Sequence, residues 1–290
     1  MQSIAQNLAF GVFVGSIYGV AAAGLALVFG VLKLLNVAHG ELLMFGGYIT
    51  FWLFSLWGFD PFLSLLIAVP ILFVIGIALD RLVFRWLIRL GGEARIKNSL
   101  LVSFGMALIL QNLALQLFTA DERTVQLSYS GDGLNVFGVS LPYTRLISLL
   151  AAFLAVVALH LFLHRTYPGK AVRAVAEDGE SAALAGIDVR RVYLYTMGIG
   201  AALAGLAGSL VVVGYGIEPS IGLSWTLKAL VVIILAGTGS VLGAFPAGLL
   251  LGLVEAISGI AFGAIYRETA GLVLFLLVLL LRPNGLFGRA

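Results

Sequence analysis

The chain has 290 residues, of which 61% are hydrophobic and only 11% charged, and its mean hydropathy is +1.10. Soluble domains carry about 45–50% apolar and about 25% charged residues, so this composition excludes a soluble globular protein and defines a polytopic membrane protein. The net charge of +3 is dispersed over loops and predicts no nucleic-acid partner, and the lack of cysteine excludes disulfides, thiolate chemistry and cysteine-based metal sites.

The N-terminus, Met1-Gln2-Ser3-Ile4-Ala5-Gln6-Asn7, has neither the basic region nor the small-residue cleavage site of a signal peptide, so the first span is expected to be retained. Residues 8–35 form an apolar run long enough to cross the bilayer, which takes about 20 helical residues. Gly11, Gly15 and Gly19 recur every fourth position and put bare backbone on one helix face, which predicts close packing on another helix. Lys33 reads as an interfacial anchor. The polar segment Asn36-Val-Ala-His-Gly-Glu41 then interrupts the apolar sequence, and residues 42–57 behind it fall about one turn short of a span. A broken or re-entrant element is predicted there, tolerated at membrane depth only where protein or a watery cavity surrounds it.

After the turn signal Gly58-Phe-Asp-Pro61, residues 62–79 span, with a kink expected at Pro70. A basic stretch with Arg81, Arg85, Arg89, Arg95 and Lys97 follows, and residues 99–118 cross again. The polar stretch 119–143 alternates Val125, Leu127 and Tyr129, which predicts a small extramembranous hairpin, and we delimit this outer loop as 119–145. Residues 146–163 return to a polar island at 165–192 that holds nine charged residues. Beyond it, 192–213 spans with Ala201, Gly205 and Ala204, Gly208 at four-residue spacing, and 214–224 is a loop. Apolar residues 227–235 run into a glycine-rich break at 236–243 that contains Gly237, Thr238 and Gly239. Residues 245–265 span, 271–281 form the last apolar block, and the tail ends at Arg289-Ala290.

Thirteen of the 17 basic residues fall on one side if the loops around 81–97 and 165–191, the end of the first span and the tail share that side. The positive-inside asymmetry makes that side cytoplasmic and 119–143 external. The expected fold is an all-α transmembrane bundle, one domain over 1–290, with eight or nine spans; nine would put the N-terminus outside.

No Gly-x-x-x-x-Gly-Lys-Ser/Thr loop is present, so the chain has no nucleotide-hydrolysing site of that kind. His160 and His164 have metal-compatible spacing but sit beside Arg165 at a membrane boundary, so no metal and no cofactor is expected. Ser209 and Ser240 have no histidine in the C-terminal half to activate them, which leaves no catalytic set. Glu255 lies mid-span, where a carboxylate is costly; it is either functional or a neutralised structural group, with Lys228 as a possible partner. In the island, Asp178 is expected to N-cap a short helix, Glu180 to favour its first turn and Gly186 to end it in the left-handed conformation. Val175, Gly179, Ala182, Ala183 and Gly186 would then share a narrow face of small residues, flanked by Arg173, Glu177, Asp178 and Glu180. Such a face suits docking against another protein, and an ordinary solvated loop is the competing reading.

Four stretches resemble a known family in the right order. Gly169-Lys-Ala-Val-Arg-Ala-Val-Ala-Glu-Asp178 with Ala182-Ala-Leu-Ala-Gly-Ile-Asp188 is similar to the coupling loop of ABC importer permeases of the branched-chain amino acid type. Leu35-Asn-Val-Ala-His-Gly-Glu-Leu-Leu-Met-Phe-Gly-Gly-Tyr48, the stretch Lys228–Gly243 and Arg282-Pro-Asn-Gly-Leu-Phe-Gly288 resemble three further family motifs, although Ala236 stands where the family usually has glycine. The resemblance implies a bacterial inner-membrane subunit with cytoplasmic coupling loop and C-terminus. Its partners would be a second related permease (a heterodimer, or a homodimer), two cytoplasmic ATPases and an extracytoplasmic substrate-binding protein. It also implies ATPase coupling through Arg173 to Gly186, and a translocation path near Asn36, His39, Gly40, Glu41, Gly237, Gly239 and Glu255. The family also includes permeases for urea, short amides and other amino acids. An ion-coupled secondary carrier or channel using Glu255 is the alternative of another class.

Overall fold

The computed structural model describes residues 2–88, 92–136, 138–237 and 239–288; Arg89, Thr238 and Arg289 lie outside the described residues. Helix α1 (Gln2–Leu32) has 31 residues, about 46 Å at the α-helical rise. It is the axis of the bundle, because its most apolar window is 83% buried whereas those of the rim helices are 6–28% buried. Such all-round apolarity is what a central membrane helix needs, since it meets protein on every side.

Around it stand α2 (His39–Trp57), α3 (Pro61–Leu87), α4 (Gly92–Phe118), α5 (Tyr143–Arg165), α8 (Val189–Gly214), α9 (Ile221–Ala236), α10 (Ala244–Ala261) and α11 (Arg267–Leu281), while two short helices, α6 (Tyr167–Glu177) and α7 (Gly179–Leu184), fold the island. Seven helices among the described residues are long and apolar enough to cross a membrane. Helix α2 has 19 residues but opens on the polar His39-Gly-Glu41, and α9 has only 16. Pro70 sits inside α3 without ending it, and a π-helical turn, Asp80–Phe84, widens the helix near its end.

The glycine face of α1 packs on α10, where Gly248 and Gly252 provide a matching bare surface. A methyl group built on Gly15 would lie 2.6 Å from the Gly248 carbonyl oxygen, and one on Gly248 2.5 Å from the Gly19 nitrogen. The backbones therefore touch directly, the arrangement that small-residue spacing produces where lipid removes the hydrophobic driving force. On the other side of the core, α8 lays Gly205 against Gly46 of α2 and Leu72 of α3. A buried hydroxyl pair, Thr50 Oγ1 donating to Ser209 Oγ at 2.7 Å, fastens the same contact.

Two local expectations are corrected. The unwound polar segment is shorter than 36–41, because His39, Gly40 and Glu41 already form the first turn of α2. The outer hairpin is formed by β1 (Gly133–Val136) and β2 (Val139–Pro142), antiparallel, and not by 125–129. Val125 and Leu127 are instead buried in one cluster with Tyr48, Ala114 and Ile217, so their alternation reflects a covering segment seated on the bundle. Arg123 pairs its backbone with Ile217, which fixes that cover to the loop after α8. Tyr129 donates to Asp60, the residue that N-caps α3, at 2.5 Å. Burial first, and that bond second, hold the Tyr129 phenol well above its usual pKa.

Gly15→Leu is expected to lower stability by about 1–3 kcal/mol or more through overpacking, measured as a reduced melting temperature in detergent. Gly131→Ala, at an open surface position, is expected to leave that temperature unchanged.

Candidate functional site

Three groups of polar residues stand out from the apolar bundle. The first is the joint between α1 and α2. Lys33 takes a left-handed φ of 54° and turns the chain out of α1, while Arg95 donates to the Leu32 and Ile88 carbonyls. Five backbone groups around the irregular stretch are satisfied by three hydroxyls from other helices. Ser99 Oγ accepts from Leu35 N at 3.0 Å, and Ser103 Oγ accepts from Val37 N at 2.9 Å and donates to the Leu35 carbonyl at 3.0 Å. Thr226 Oγ1 accepts from Gly40 N at 2.8 Å and donates to the Val37 carbonyl at 2.9 Å. Unpaired backbone in a low-dielectric interior costs several kcal/mol per group in the order-of-magnitude sense, so these hydroxyls make the joint possible.

His39 is 1% exposed, and its Nε2–H donates to the Ala21 carbonyl at 2.9 Å. The carbonyl can only accept, which fixes the proton on Nε2. Ala21 lies 11 residues before the end of α1, so the joint climbs back about 16 Å along that helix before α2 begins. Gly40 is required here, since a methyl group would meet the Gly222 carbonyl oxygen and the Thr226 hydroxyl of α9. Asn36 and Glu41 are equally enclosed, and Asn36 Oδ1 and Glu41 Oε2 have no hydrogen-bond partner among the described residues.

The second group lies nearer the opposite end of α1. Glu255 of α10 accepts from Tyr18 at 3.0 Å and pairs with Lys228 of α9 at 2.7 Å; Lys228 also reaches Glu268 at 3.3 Å. Lys228, one candidate partner that the sequence offered, is thus in contact. Trp225 packs edge-on against Tyr18, with ring centroids 5.2 Å apart. A cavity of about 630 Å³ lies over this cluster and extends to Arg145, whose guanidinium donates to the Tyr215 hydroxyl at 2.5 Å. Among these helices the Glu255 group and the His39–Glu41 turn are separate, linked only through α1 and α9.

The third group is at the other face. Gly237 and Gly239 both adopt positive φ, 99° and 93°, and end α9. The terminal tail folds onto that end: Leu286 N and Phe287 N donate to the Leu235 and Ala236 carbonyls at 2.8 and 3.0 Å, satisfying acceptors that a helix C-terminus leaves open. A methyl group on Gly285 would strike Gly237, which explains why both motifs are glycine-rich. Gly30 of α1, Gly239 and Asn284 border a cavity of about 460 Å³ that reaches His164 and Arg173 of the island.

The island is two capped helices. Thr166 caps α6 by accepting from Gly169 N, and Arg173 Nε donates to the Leu163 carbonyl at 3.0 Å. Asp178 caps α7, accepting from Glu180 N at 2.9 Å and Ser181 N at 3.3 Å. The Ser181 hydroxyl and these amides hold its carboxyl below the usual aspartate pKa. Gly186, φ 86°, closes α7, with Ile187 N donating to Ala182 O and Gly186 N to Ala183 O, both at 3.0 Å. This is the double bond of a Schellman C-cap. The expected small-residue face does not point outward as a unit. Val175 and Ala182 are buried against the chain's own core, and Gly179 faces Tyr193 and Val189 of α8. The outward side carries Glu177, Asp178, Glu180, Ala183, Gly186 and above all Leu184, which is 92% exposed.

Sequence reasoning missed Ser99, Ser103, Thr226 and Tyr18. Hydroxyls inside apolar spans were their only signal, and such residues more often bond their own helix.

A bundle with seven span-length apolar helices among the described residues has the build of a multi-pass membrane protein, with the charged, capped helix pair α6–α7 packed on its core. Residues 7–281 match the family model described as branched-chain amino acid transport system / permease component, and the chain belongs to that family. It is 36% identical over 299 residues to the high-affinity branched-chain amino acid transport system permease protein LivH of Escherichia coli K12, covering 98% of this chain and 95% of that protein. It is 34% identical over 297 residues to the corresponding protein BraD of Pseudomonas aeruginosa, with the same coverage. A probable branched-chain amino acid transport permease of Methanocaldococcus jannaschii is 26% identical over 278 residues, covering 92% of this chain and 87% of that one. No solved structure matches this chain. These relatives are transport permease subunits, not enzymes.

Thr226→Val is expected to destabilise the bundle by about 1–3 kcal/mol for each backbone group it strands, while Thr226→Ser retains stability; melting temperatures of both in detergent test this. Lys228→Met alone should cost about 3–5 kcal/mol by leaving Glu255 unpaired, and adding Glu255→Gln should recover much of it, read by the same double-mutant comparison.

Proposed function

We propose that this chain is a membrane-spanning subunit of an ATP-driven importer of branched-chain amino acids, working with a second related permease, two cytoplasmic ATPases and an extracytoplasmic binding protein. The reading is carried by the displayed helix α7, which sits with an outward Leu184 on a chain that matches permeases of this family over nearly its whole length. No nucleotide-binding loop exists in the sequence, so a conformational cycle driven by ATP has to be delivered from outside the chain.

We infer nine crossings. Helices α2 and α9 join the seven longer spans, α2 starting at depth from a re-entrant joint that the Ser99, Ser103 and Thr226 hydroxyls support. The N-terminus is then extracytoplasmic, and the island and the C-terminal tail share the cytoplasmic side of a bacterial inner membrane, in line with the basic loops. The pairing of the tail with the end of α9 and its nearness to the island favour that common side.

ATPase docking falls on the outward residues Glu177, Asp178, Glu180, Ala183, Leu184 and Gly186. Val175, Gly179 and Ala182 seat the helix on α8, and Arg173 ties it to α5. The acidic tip calls for a basic rim on the partner, with an apolar recess for Leu184. For the path, we assign Asn36, His39, Gly40 and Glu41 to its inner wall, Glu255 to the outer cavity and Gly237 and Gly239 to the cytoplasmic end, as positioning residues. The carrier reading is disfavoured by the Tyr18 and Lys228 contacts of Glu255, because a carboxylate held by both must lose an ion pair before it can cycle a proton.

Proteoliposomes holding the full transporter should take up leucine, isoleucine or valine only with ATP inside and binding protein outside. Uptake of leucine by this chain alone on a proton or sodium gradient, or preference for urea or acetamide, would refute the assignment. Leu184→Asp is expected to abolish uptake with no change in melting temperature, since the side chain touches little of its own chain, and Gly186→Val to do so by straining the cap.

A further inference from the structure

The outer cavity over Glu255 has its charges sorted between two walls. Its volume of about 630 Å³ falls within the roughly 300–1,000 Å³ of small-molecule sites, and it is bordered by three cations, Arg145, Lys228 and Arg267, and two carboxylates, Glu255 and Glu268. Lys228 is shared between the carboxylates, at 2.7 Å from Glu255 and 3.3 Å from Glu268, so these groups together keep one negative charge unbalanced. The two guanidiniums have no such neutralising partner. Arg145 donates to the Tyr215 hydroxyl and the Gly214 carbonyl and lies 4.7 Å from the ring centres of Phe10 and Tyr215. Arg267 lies across Gly259 of α10, and its guanidinium makes no hydrogen bond or ion pair among the described residues. Burial raises the pKa of the Tyr215 phenol, and Arg145 and Arg267 oppose that rise, so both guanidiniums converge on it.

The positive and negative walls meet at the first turn of α11. Arg267 and Glu268 are consecutive there, and their side chains leave the helix about 100° apart, one lying over α10 and the other reaching Lys228 of α9. A ligand that answers both must carry an anion and a cation on neighbouring atoms. A carboxylate suits a pair of guanidiniums, which it can meet with two parallel hydrogen bonds. An ammonium suits Glu268, whose side chain is 75% exposed and open to it. Much of the remaining lining is apolar or aromatic, with Phe10 and Val14 from α1 and Trp225 from α9, the last braced edge-on by Tyr18. An aliphatic side chain on the atom that bears both charges would lie against it. A simple anion would leave Glu268 unanswered, and a simple amine would leave both guanidiniums so.

We propose that this cavity binds a free α-amino acid with an aliphatic side chain. Arg145 and Arg267 hold its carboxylate, Glu268 its ammonium, and Phe10, Val14 and Trp225 its side chain, while the Tyr18–Glu255–Lys228 cluster forms the floor. The ligand is taken without breaking the Lys228–Glu255 pair, so binding needs no uncompensated charge in the bundle. This inference rests on the importer reading above and adds a point where this chain itself meets the amino acid and checks both charged ends.

The test titrates the assembled transporter, in nanodiscs and without the binding protein, with radiolabelled L-leucine. L-leucinamide, which lacks the carboxylate, and isocaproate, which lacks the ammonium, serve as competitors. Saturable leucine binding is expected, with each analogue weaker by about tenfold or more, the scale of a lost hydrogen bond to a charged group. Arg267→Gln should weaken leucine by a similar factor and bring leucine and leucinamide level, and Glu268→Gln should do the same for leucine and isocaproate. Melting temperatures should hold, since both side chains are exposed. No saturable leucine binding, equal binding of the analogues to the unmodified protein, or variants that leave leucine affinity unchanged or weaken all three ligands alike overturns the site. A phosphatidylethanolamine headgroup pairs the same two charges, so its retention through purification without displacement by leucine overturns it too. ATP-driven uptake by the same preparation, with binding protein restored, separates the two levels. Uptake of leucine without cavity binding sinks the site and spares the importer, whereas cavity binding without uptake of any branched-chain amino acid sinks the importer reading and leaves the site.

Discussion

The bundle depends on how a stretch of irregular backbone is kept satisfied away from water. Between α1 and α2 the chain gives up its helix, climbs back along α1 and starts again at His39. Hydrocarbon offers no hydrogen bonds, so every peptide group freed there must find one in protein. Ser99, Ser103 and Thr226 supply them from α4 and α9, each of the last two accepting one bond and donating another. The consequence reaches beyond the joint, because these hydroxyls also tie the rim helix α4 and the short helix α9 to the core. Gly40 then lets α9 come close enough for Thr226 to reach, and the His39 imidazole locks the turn onto the middle of α1.

A second constraint runs along α1. Its glycine face brings α10 into backbone contact, and that proximity places Glu255 within reach of Tyr18 and Lys228. A buried carboxylate is tolerable only when paired and hydrogen-bonded, and the close packing provides both conditions. The glycine spacing and the intramembrane charge, which look unrelated in sequence, are therefore one feature. Replacing the glycines would withdraw the partners of Glu255 as well as the van der Waals contact.

Much of this was legible in the sequence, for physical reasons that differ by residue. Gly11, Gly15 and Gly19 were readable because helical period alone puts them on one face, and Asp178 and Gly186 because cap chemistry is local. The Lys228–Glu255 pair was readable because two opposite charges in apolar sequence have few other options. The direction of the α7 face was not, since Val175 and Ala182 turn inward only once α6 and α7 lie on α8. Val125 and Leu127 alternate as a strand would, yet they cover the Tyr48 cluster, so tertiary burial and strand pairing leave the same trace. The hydroxyl clamps were invisible because their backbone partners lie 64 to 189 residues away.

The same framework explains how a displacement at the island could be felt across the membrane. Val172 and Val175 of α6 enter the core cluster that contains α1 and α8, so the island is packed onto the two most buried helices instead of hanging from a flexible loop. Closely packed helices transmit shifts as rigid bodies and are poor at absorbing them gradually. A push on Leu184 would reach α8 through Val189 and Tyr193, and from α8 it would meet α2 and α3 at the Gly46, Gly205 and Leu72 contact. Helix α1 would carry it in parallel to α10 along the glycine face. The rim helix α4 is tied to the joint through Ser99 and Ser103, and it packs Met106, Ala107 and Ala114 into the core and stacks Phe118 on Tyr48. Within that packing, the α1–α2 joint is the place where backbone is held by hydroxyl bonds from other helices and no helical ladder has to break for it to shift.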